Sequence, residues 1–504
     1  MTVFLGLDVG TQGVKALLLE TGHGVVGTAS RPLSTIGGLP PGHSEQRPSD
    51  WLDAVRGALA DLRAQQRARF ERVTALAVSG QQHGLVALDA HDRVLRPAML
   101  WNDVRCATEC SEILAALGGR DRAFARLGLA ALPPGFTAGK VRWLFRHEPE
   151  HYAKLARVLL PHDYVNLWLT GEFVAEAGDA SGTGWFDVRA RQADELACEA
   201  CAPGLFGKLA PLRAAGTPAG TLRDAIAAEL GLPQGALVAL GGGDNMMAAI
   251  GAGAVEPGIA TLSLGTSGTV FAAASQPVCD PAGEIAPFCD SAGGWLPLGC
   301  TMNATVATET ARALFGLDLA QFDAAVRSVP DGADGVLCLP YFTGERSPDL
   351  PTATGAFVGL TPRTSTAPHL ARAAMEGASY ALIRLLDRLR ELGLPLRELR
   401  LTGGGSKSRV WCGVIAAASG LPTLTGVHPD AAAVGAAVQA AWTAARVAGA
   451  PEFGLAACRA RFFLDRELER LPTDATAIAR HAAQRRRWQS FLEALAPRYA
   501  ALAP

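Results

Sequence analysis

The chain reads as an α/β protein built from two related lobes around a cleft. Three observations predict this. Its 504 residues are 49% hydrophobic, more apolar chain than one core usually organises, so two lobes are expected. Short apolar and β-branched runs alternate with longer periodic stretches, the pattern of sheets covered by helices. Two local devices also occur twice. An apolar run, Gly-Thr-polar-Gly and a second apolar run stand at 4–20 and again at 260–273, while strand, triple glycine, polar residues and helix stand at 238–254 and again at 399–418.

Taken in order, strands are predicted at 3–7, 14–19, 73–78, 237–240, 259–264 and 399–401, each a short apolar run bounded by glycine or polar residues. Helices are predicted at 48–67, 139–146, 222–230, 368–392 and 475–495 from their 3.6-residue periodicity. Pro/Gly-rich breaks at 37–42, 132–135 and 217–220 read as loops. The turn Gly10-Thr11-Gln12-Gly13 closes one hairpin and Gly265-Thr266-Ser267-Gly268 another. The duplication places the lobe boundary near 251–258, which gives an N-terminal lobe over 1–252 that carries the first hairpin and a C-terminal lobe over 253–504 that carries the second and ends in a helical tail.

Forty-six basic side chains against forty-eight acidic ones leave a formal charge of -2, with no long run of one sign. That balance argues against a nucleic-acid stripe and for small-molecule partners. The ten cysteines are scattered, and the close pair Cys198 and Cys201 lacks a second pair to complete a metal site, so buried reduced thiols are expected. Residues 1–7 are too short for a signal-peptide core, and Asp244 and Glu256 break the most lipid-like region. A cytoplasmic chain with no membrane partner follows, and a homodimer is compatible with it.

Glycine at the two hairpin tips lets a ligand approach main-chain N–H groups, so facing hairpins would grip a polyphosphate from both sides. Asp8 stands where the first strand runs into its turn, and its carboxylate suits Mg²⁺, which needs one or two such groups beside phosphate oxygens; hydrogen bonding to the turn is the plainer alternative. Lys15 is no P-loop lysine, since no Walker motif is present, but it could reach a phosphate. Asp244 follows three glycines at the mouth of a strand. There it suits a general base that takes the proton of an attacking alcohol, or equally an N-cap of the next helix. Gln81-Gln82-His83-Gly84 and Trp101-Asn102-Asp103 place polar groups and an aromatic wall at probable strand ends, where open α/β sheets collect ligands. A lone His83 would otherwise be a structural hydrogen-bonder.

These segments resemble the FGGY carbohydrate kinases, the sugar-kinase branch of the actin-like ATPases. The resemblance runs from Phe4 to about Ala441. "GFTAGKVRWLFRH" (135–147) and "GAFVGLTPRTSTAPHLARAAME" (355–376) fit the two diagnostic patterns of the family. Within it, "SGQQHG", "LWNDVRC", "GDASGTGWFDV", "GGGDNMMAAIGAG" and "LPYFTGERSP" are most similar to the xylulokinase branch. The resemblance implies two ribonuclease-H-like domains around a cleft, and ATP-dependent phosphorylation of D-xylulose at its C5 hydroxyl. It implies Asp244 as catalytic base and Asp8 as the residue that helps place Mg-ATP. Gln82, His83 and Asn245 match sugar contacts, joined by the Trp101-Asn102-Asp103 cluster. Gly10, Thr11, Gln12, Gly265, Thr266, Ser267, Gly403, Gly404, Gly405 and Ser406 fall on the nucleotide loops. Gln82 stands where many bacterial members of that branch carry methionine, and it makes one wall of the sugar pocket more polar.

Three rivals have distinct signatures. A kinase for ribulose, gluconate, fuculose or glycerol would separate in a substrate panel. A sensor that has lost catalysis would not need both Asp8 and Asp244. An actin-like filament or chaperone ATPase would retain the hairpins without the polar strand-end clusters.

Overall fold

The computed structural model describes residues 2–450 and 453–502. The first sheet begins with β1 (Val3–Val9), β2 (Gly13–Glu20) and β3 (Gly24–Pro32), an antiparallel meander whose first two strands are buried almost throughout. Helix α1 (Pro48–Gln65) follows, with Pro48 in its first turn and Trp51, Val55, Leu59 and Leu62 on one face against β2 and β3. It stops at Gln66, whose φ of −135° and ψ of 41° leave the helical region, and a separate turn Arg67–Phe70 succeeds it. The helix predicted over 48–67 thus forms over 48–65, and the turn beyond it is a separate element. Strand β4 (Val73–Gly80) then runs parallel to β1, and β5 (Pro218–Thr221), β6 (Leu237–Ala239) and the two-residue β7 (Gly242–Gly243) complete the sheet in the order β5-β6-β4-β1-β2-β3, with β7 beside β4.

Helix α2 (Asp244–Ala252) leads to the second sheet: β8 (Ile259–Leu264), β9 (Gly268–Ala272), β10 (Ile285–Ala286), β11 (Leu298–Thr301), then α3 (Ala367–Glu391), β12 (Glu398–Thr402), α4 (Arg409–Ser419) and β13 (Thr423–Thr425). Helix α5 (Ala431–Val447), β14 (Glu469–Arg470) and α6 (Ala475–Leu495) follow. The strand order is β10-β11-β9-β8-β12-β13-β14. Without β10, both sheets have the same plan: three antiparallel strands, two parallel ones, then an antiparallel edge. The duplicated sequence devices are thus the hairpin and the strand-to-helix crossing of one repeated architecture.

Helix α5 packs on β1, β4 and α2, deep in the first sheet's buried layer, although it follows six of the second sheet's seven strands in sequence. The contact demands missing side chains. A Cβ at Gly435 would lie 1.8 Å from the Met247 carbonyl oxygen, and one at Gly251 would lie 1.9 Å from that of Ala431. Alanines 433, 436, 437 and 440 fill the rest of the seam. Helix α6 docks on α3 and α4 through Trp488 and Leu492, and its basic cluster is only partly solvated: Arg485 pairs with Asp387 and donates to the Ala418 carbonyl at 2.9 Å. The cysteines are free thiols and most are buried. Among the described residues no helix is long and apolar enough to cross a membrane.

Candidate active site

Parallel pairing brings the site together. Asp8 sits opposite Ser79, and Ser79 opposite Gly242, so three neighbouring strands end side by side. Two residues past Gly242, Asp244 opens α2. Its N-cap is Gly243, which makes no side-chain cap, and Asp244 instead occupies the first helical position with Oδ1 accepting the Asn245 N–H at 2.8 Å and Asn245 Nδ2 at 2.9 Å. Asp8 Oδ1 accepts from Ser79 Oγ at 2.8 Å. Burial pushes the Asp244 carboxyl up to about 7, the charges of Asp8 and Asp179 add to the rise, and the Asn245 hydrogen bonds oppose it. Asp8 is raised too, by burial, against the pull of Ser79 and Lys15.

A closed network fixes the tip of the first hairpin. Thr11 Oγ1 donates to Gln81 Oε1 at 2.8 Å and accepts from Trp101 Nε1 at 2.9 Å, Gln81 Nε2 donates to Gln46 Oε1 at 3.0 Å, and Gln46 Nε2 returns to the Thr11 carbonyl at 2.7 Å. The Thr11 hydroxyl is engaged within the protein, so the tip offers a ligand chiefly its backbone. Gln12 is exposed, and Gly10 closes the turn by donating to the Gly13 carbonyl at 3.1 Å.

Gln82 and His83 lie beside Asp244. Asn245 Nδ2 donates to Gln82 Oε1 at 2.9 Å, and Gln82 Nε2 reaches Met246 Sδ at 3.4 Å. His83 has a positive φ of 63°, held by its carbonyl, which accepts from Lys140 Nζ at 2.7 Å and Thr137 Oγ1 at 3.2 Å. Its ring stacks on Phe136 with centroids 4.5 Å apart. Burial lowers the imidazole to about 3, with the charges of Lys140 and Arg346 adding to the fall, so it is neutral. Nδ1 lies 2.8 Å from the Gly182 carbonyl, which can only accept; that nitrogen carries the proton, and Nε2 is left as an acceptor. Asp179 faces Gln82 from behind and is held by His162 Nδ1 at 2.8 Å. Burial works against a proton on His162, but Asp163 and Asp179 outweigh it and keep the ring charged.

Trp101 is half-buried and Asn102 exposed, whereas Asp103 is fully buried. Its carboxylate pairs with Arg105 and takes the Ser44 N–H at 2.7 Å, which directs it into the protein and makes it the anchor of the Trp101 turn. Lys15 is likewise committed: its ammonium pairs with Asp430 at 2.8 Å, bridging β2 to the turn before α5.

The second hairpin meets the same place. Thr269 Oγ1 on β9 lies 3.4 Å from Asn245 Oδ1, next to Asp244. At its tip Gly265 donates to the Ser267 carbonyl at 3.1 Å, and exposed Thr266 accepts the Ala304 N–H at 3.2 Å. Gly403 follows β12 with a φ of 85°, and a Cβ there would stand 2.7 Å from the Leu264 carbonyl oxygen, so only glycine lets the chain turn this close to β8. Gly404 and Gly405 continue as a short 3₁₀ turn in which Ser406 Oγ donates to the Gly403 carbonyl at 2.7 Å. Sequence reasoning missed Ser79, Gln46, Lys140, His162, Asp179, Thr269 and Asp430. Lys140 and Asp179 lie within the quoted motifs "GFTAGKVRWLFRH" and "GDASGTGWFDV", but no spacing rule marks them as buried. The described residues include one cluster with metal-ligand side chains, Asp331, Glu376 and His481, and the Arg372 guanidinium pairs with both of its carboxylates.

Twin sheets of one plan with a glycine hairpin in each form the two-domain α/β architecture of the sugar-kinase and actin-like ATPase fold, the fold of carbohydrate phosphotransferases. The chain belongs to the FGGY family of carbohydrate kinases. The N-terminal domain of that family matches residues 3–251 and its C-terminal domain residues 260–444. The chain is 40% identical over 449 residues to a xylulose kinase of Haemophilus influenzae, covering 87% of this chain and 90% of that one. It is 38% identical over 422 residues to a xylulose kinase of Escherichia coli, covering 83% and 85%. The crystal structure of xylulose kinase from Rhodospirillum rubrum superposes with a TM-score of 0.88 at 30% identity, covering 99% of this chain and 100% of that one. The protein is an ATP-dependent sugar kinase.

Proposed function

We propose that the protein transfers the γ-phosphoryl group of ATP to the C5 hydroxyl of D-xylulose, with Asp244 as general base. The observation that carries this reading is the Asp244 carboxyl itself, raised to about 7 and set between Asn245 and the Asp8 strand end. A base tuned near neutrality accepts the hydroxyl proton as the new P–O bond forms and the bond to the ADP oxygen breaks, a role that contributes about 10²–10⁴-fold. Orientation supplies much of the rest.

In this reading Gln82, His83, Asn245, Trp101 and Asn102 hold the ketose, with Asp103 bracing the Trp101 turn. The triphosphate lies against the backbone of Gly10, Thr11 and Gln12 and of Gly265, Thr266 and Ser267. Gly403, Gly404, Gly405 and Ser406 take the adenosine end, and Lys15 acts through its bridge to Asp430. Asp8 offers an oxygen not bonded to Ser79, and among the described residues no basic side chain pairs with it, which fits the all-oxygen preference of Mg²⁺. When bound there, Mg²⁺ supplies charge neutralisation for the phosphate oxygens. That relatives of this chain bear the name xylulose kinase supports the ketose reading over the other acceptors.

A substrate panel with coupled ADP detection tests the reading. D-xylulose is expected to give the highest kcat/KM among D-xylulose, D-ribulose, gluconate, fuculose and glycerol; a better acceptor in that set would replace it.

A further inference from the structure

Arg346 projects from the C-terminal lobe to the sugar side of the site. Its loop is rigidly pinned: the buried Glu345 accepts from Thr301 Oγ1 at 2.5 Å, Met302 N at 2.8 Å and Arg346 N at 2.7 Å, and Asn303 Nδ2 donates to the Gly344 carbonyl at 2.7 Å. The guanidinium reaches the opposite lobe. A Cβ built on Gly135 would lie 3.8 Å from Arg346 Nη2 and 2.5 Å from the Trp101 carbonyl oxygen, so the arginine head, Trp101 and the Gly135 turn adjoin. Its charge is close enough to reduce the basicity of both His83 and Lys140.

Among the described residues that half-buried guanidinium has no hydrogen-bond or ion-pair partner. Five N–H donors in a fixed fork on a half-buried residue, none of them engaged within the protein, are free to take an acceptor from a ligand. The nearby carboxylate Asp103 is already paired with Arg105.

The chemistry of the acceptor suggests what the fork takes. In a 2-ketopentose the C5 hydroxyl closes the furanose ring, so it is free to receive a phosphoryl group only in the open-chain form. That form exposes a C2 carbonyl beside the C1 hydroxyl, an acceptor that the ring form lacks. We propose that Arg346 determines specificity by donating to the carbonyl end of the open-chain ketose, across the cleft from Gln82 and His83. The proposal rests on the ketose reading given above.

The test uses the full chain and its Arg346→Met and Arg346→Lys variants. For each, the KM for D-xylulose, the KM for ATP, and the inhibition constant of xylitol, in which the carbonyl has become an alcohol, are measured. Loss of a charged donor to the carbonyl is expected to raise the D-xylulose KM about thirtyfold in Arg346→Met. The ATP KM and the xylitol constant should stay within about twofold, and Arg346→Lys should recover most of the loss. Equal weakening of D-xylulose and xylitol, a rise confined to ATP, or an unchanged D-xylulose KM each overturns the assignment. Absence of D-xylulose turnover in the unmodified chain removes the ketose reading and this proposal with it, which separates that failure from one seen only in the variants.

Discussion

Gln439 grips Gly241 at both ends of its backbone: Oε1 accepts the glycine N–H at 2.8 Å and Nε2 donates to its carbonyl at 3.0 Å. A side chain on α5 thereby fixes the strand end that delivers Asp244. Both groups are buried, and truncation leaves them unpaired at about 1–3 kcal/mol. Gln439→Leu is expected to lower both Tm and kcat, while Gln439→Ala with retained kcat would detach this grip from catalysis. Thermal melts and steady-state ADP release check both.

Asp244→Asn keeps the shape and removes the proposed base. Turnover should fall about 10²–10⁴-fold, with the sugar KM changing no more than about threefold. Near-normal turnover would remove Asp244 from the mechanism.

The acid limb of the pH profile follows from the same carboxyl. In the proposed role of base it must be ionised to accept a proton, so kcat/KM should rise with pH through about 7 and level off above it. Asp179 is one of the two charges that hold this value up, so Asp179→Asn should move the limb to lower pH. A limb that stays in place would show the pair is uncoupled.

Stability carries the opposite signature. The Asp244 carboxyl is raised in the folded chain, so between its ordinary value of 3.8 and about 7 the native state binds more protons than the unfolded one, and stability falls as pH rises through that window. Asp244→Asn should therefore melt roughly 2 °C higher than the parent at pH 8 and no higher at pH 4. Equal melting temperatures at both would contradict the raised value.

How much of this is legible in the sequence depends on the range of the interaction. The hairpins, the strand positions and the placing of Asp8 and Asp244 at strand ends follow from local pattern, because apolar periodicity and glycine turns are properties of a few consecutive residues. The Gln439 grip and the seating of α5 are not legible, since an alanine-rich helix reads the same whichever sheet it covers. Asp103 illustrates a second limit: a carboxylate aimed at a ligand and one aimed at an arginine two residues on have the same letter in the same place. Lys140 is a third, a lysine on an amphipathic helix that the fold buries to hold the His83 carbonyl.

The seam between α2 and α5 tolerates no added carbon. Gly435→Val should lower Tm and sugar-dependent ADP release together, with overpacking costing about 1–3 kcal/mol.

The same seam bears on biosynthesis. The layer over β1 is completed by residues that leave the ribosome only after six of the seven strands of the second sheet, so the first half of a nascent chain emerges with that layer unfinished. Chains stalled before Ala431 should accordingly stay open to protease within their first strands and recruit holdase chaperones, and released chains should not.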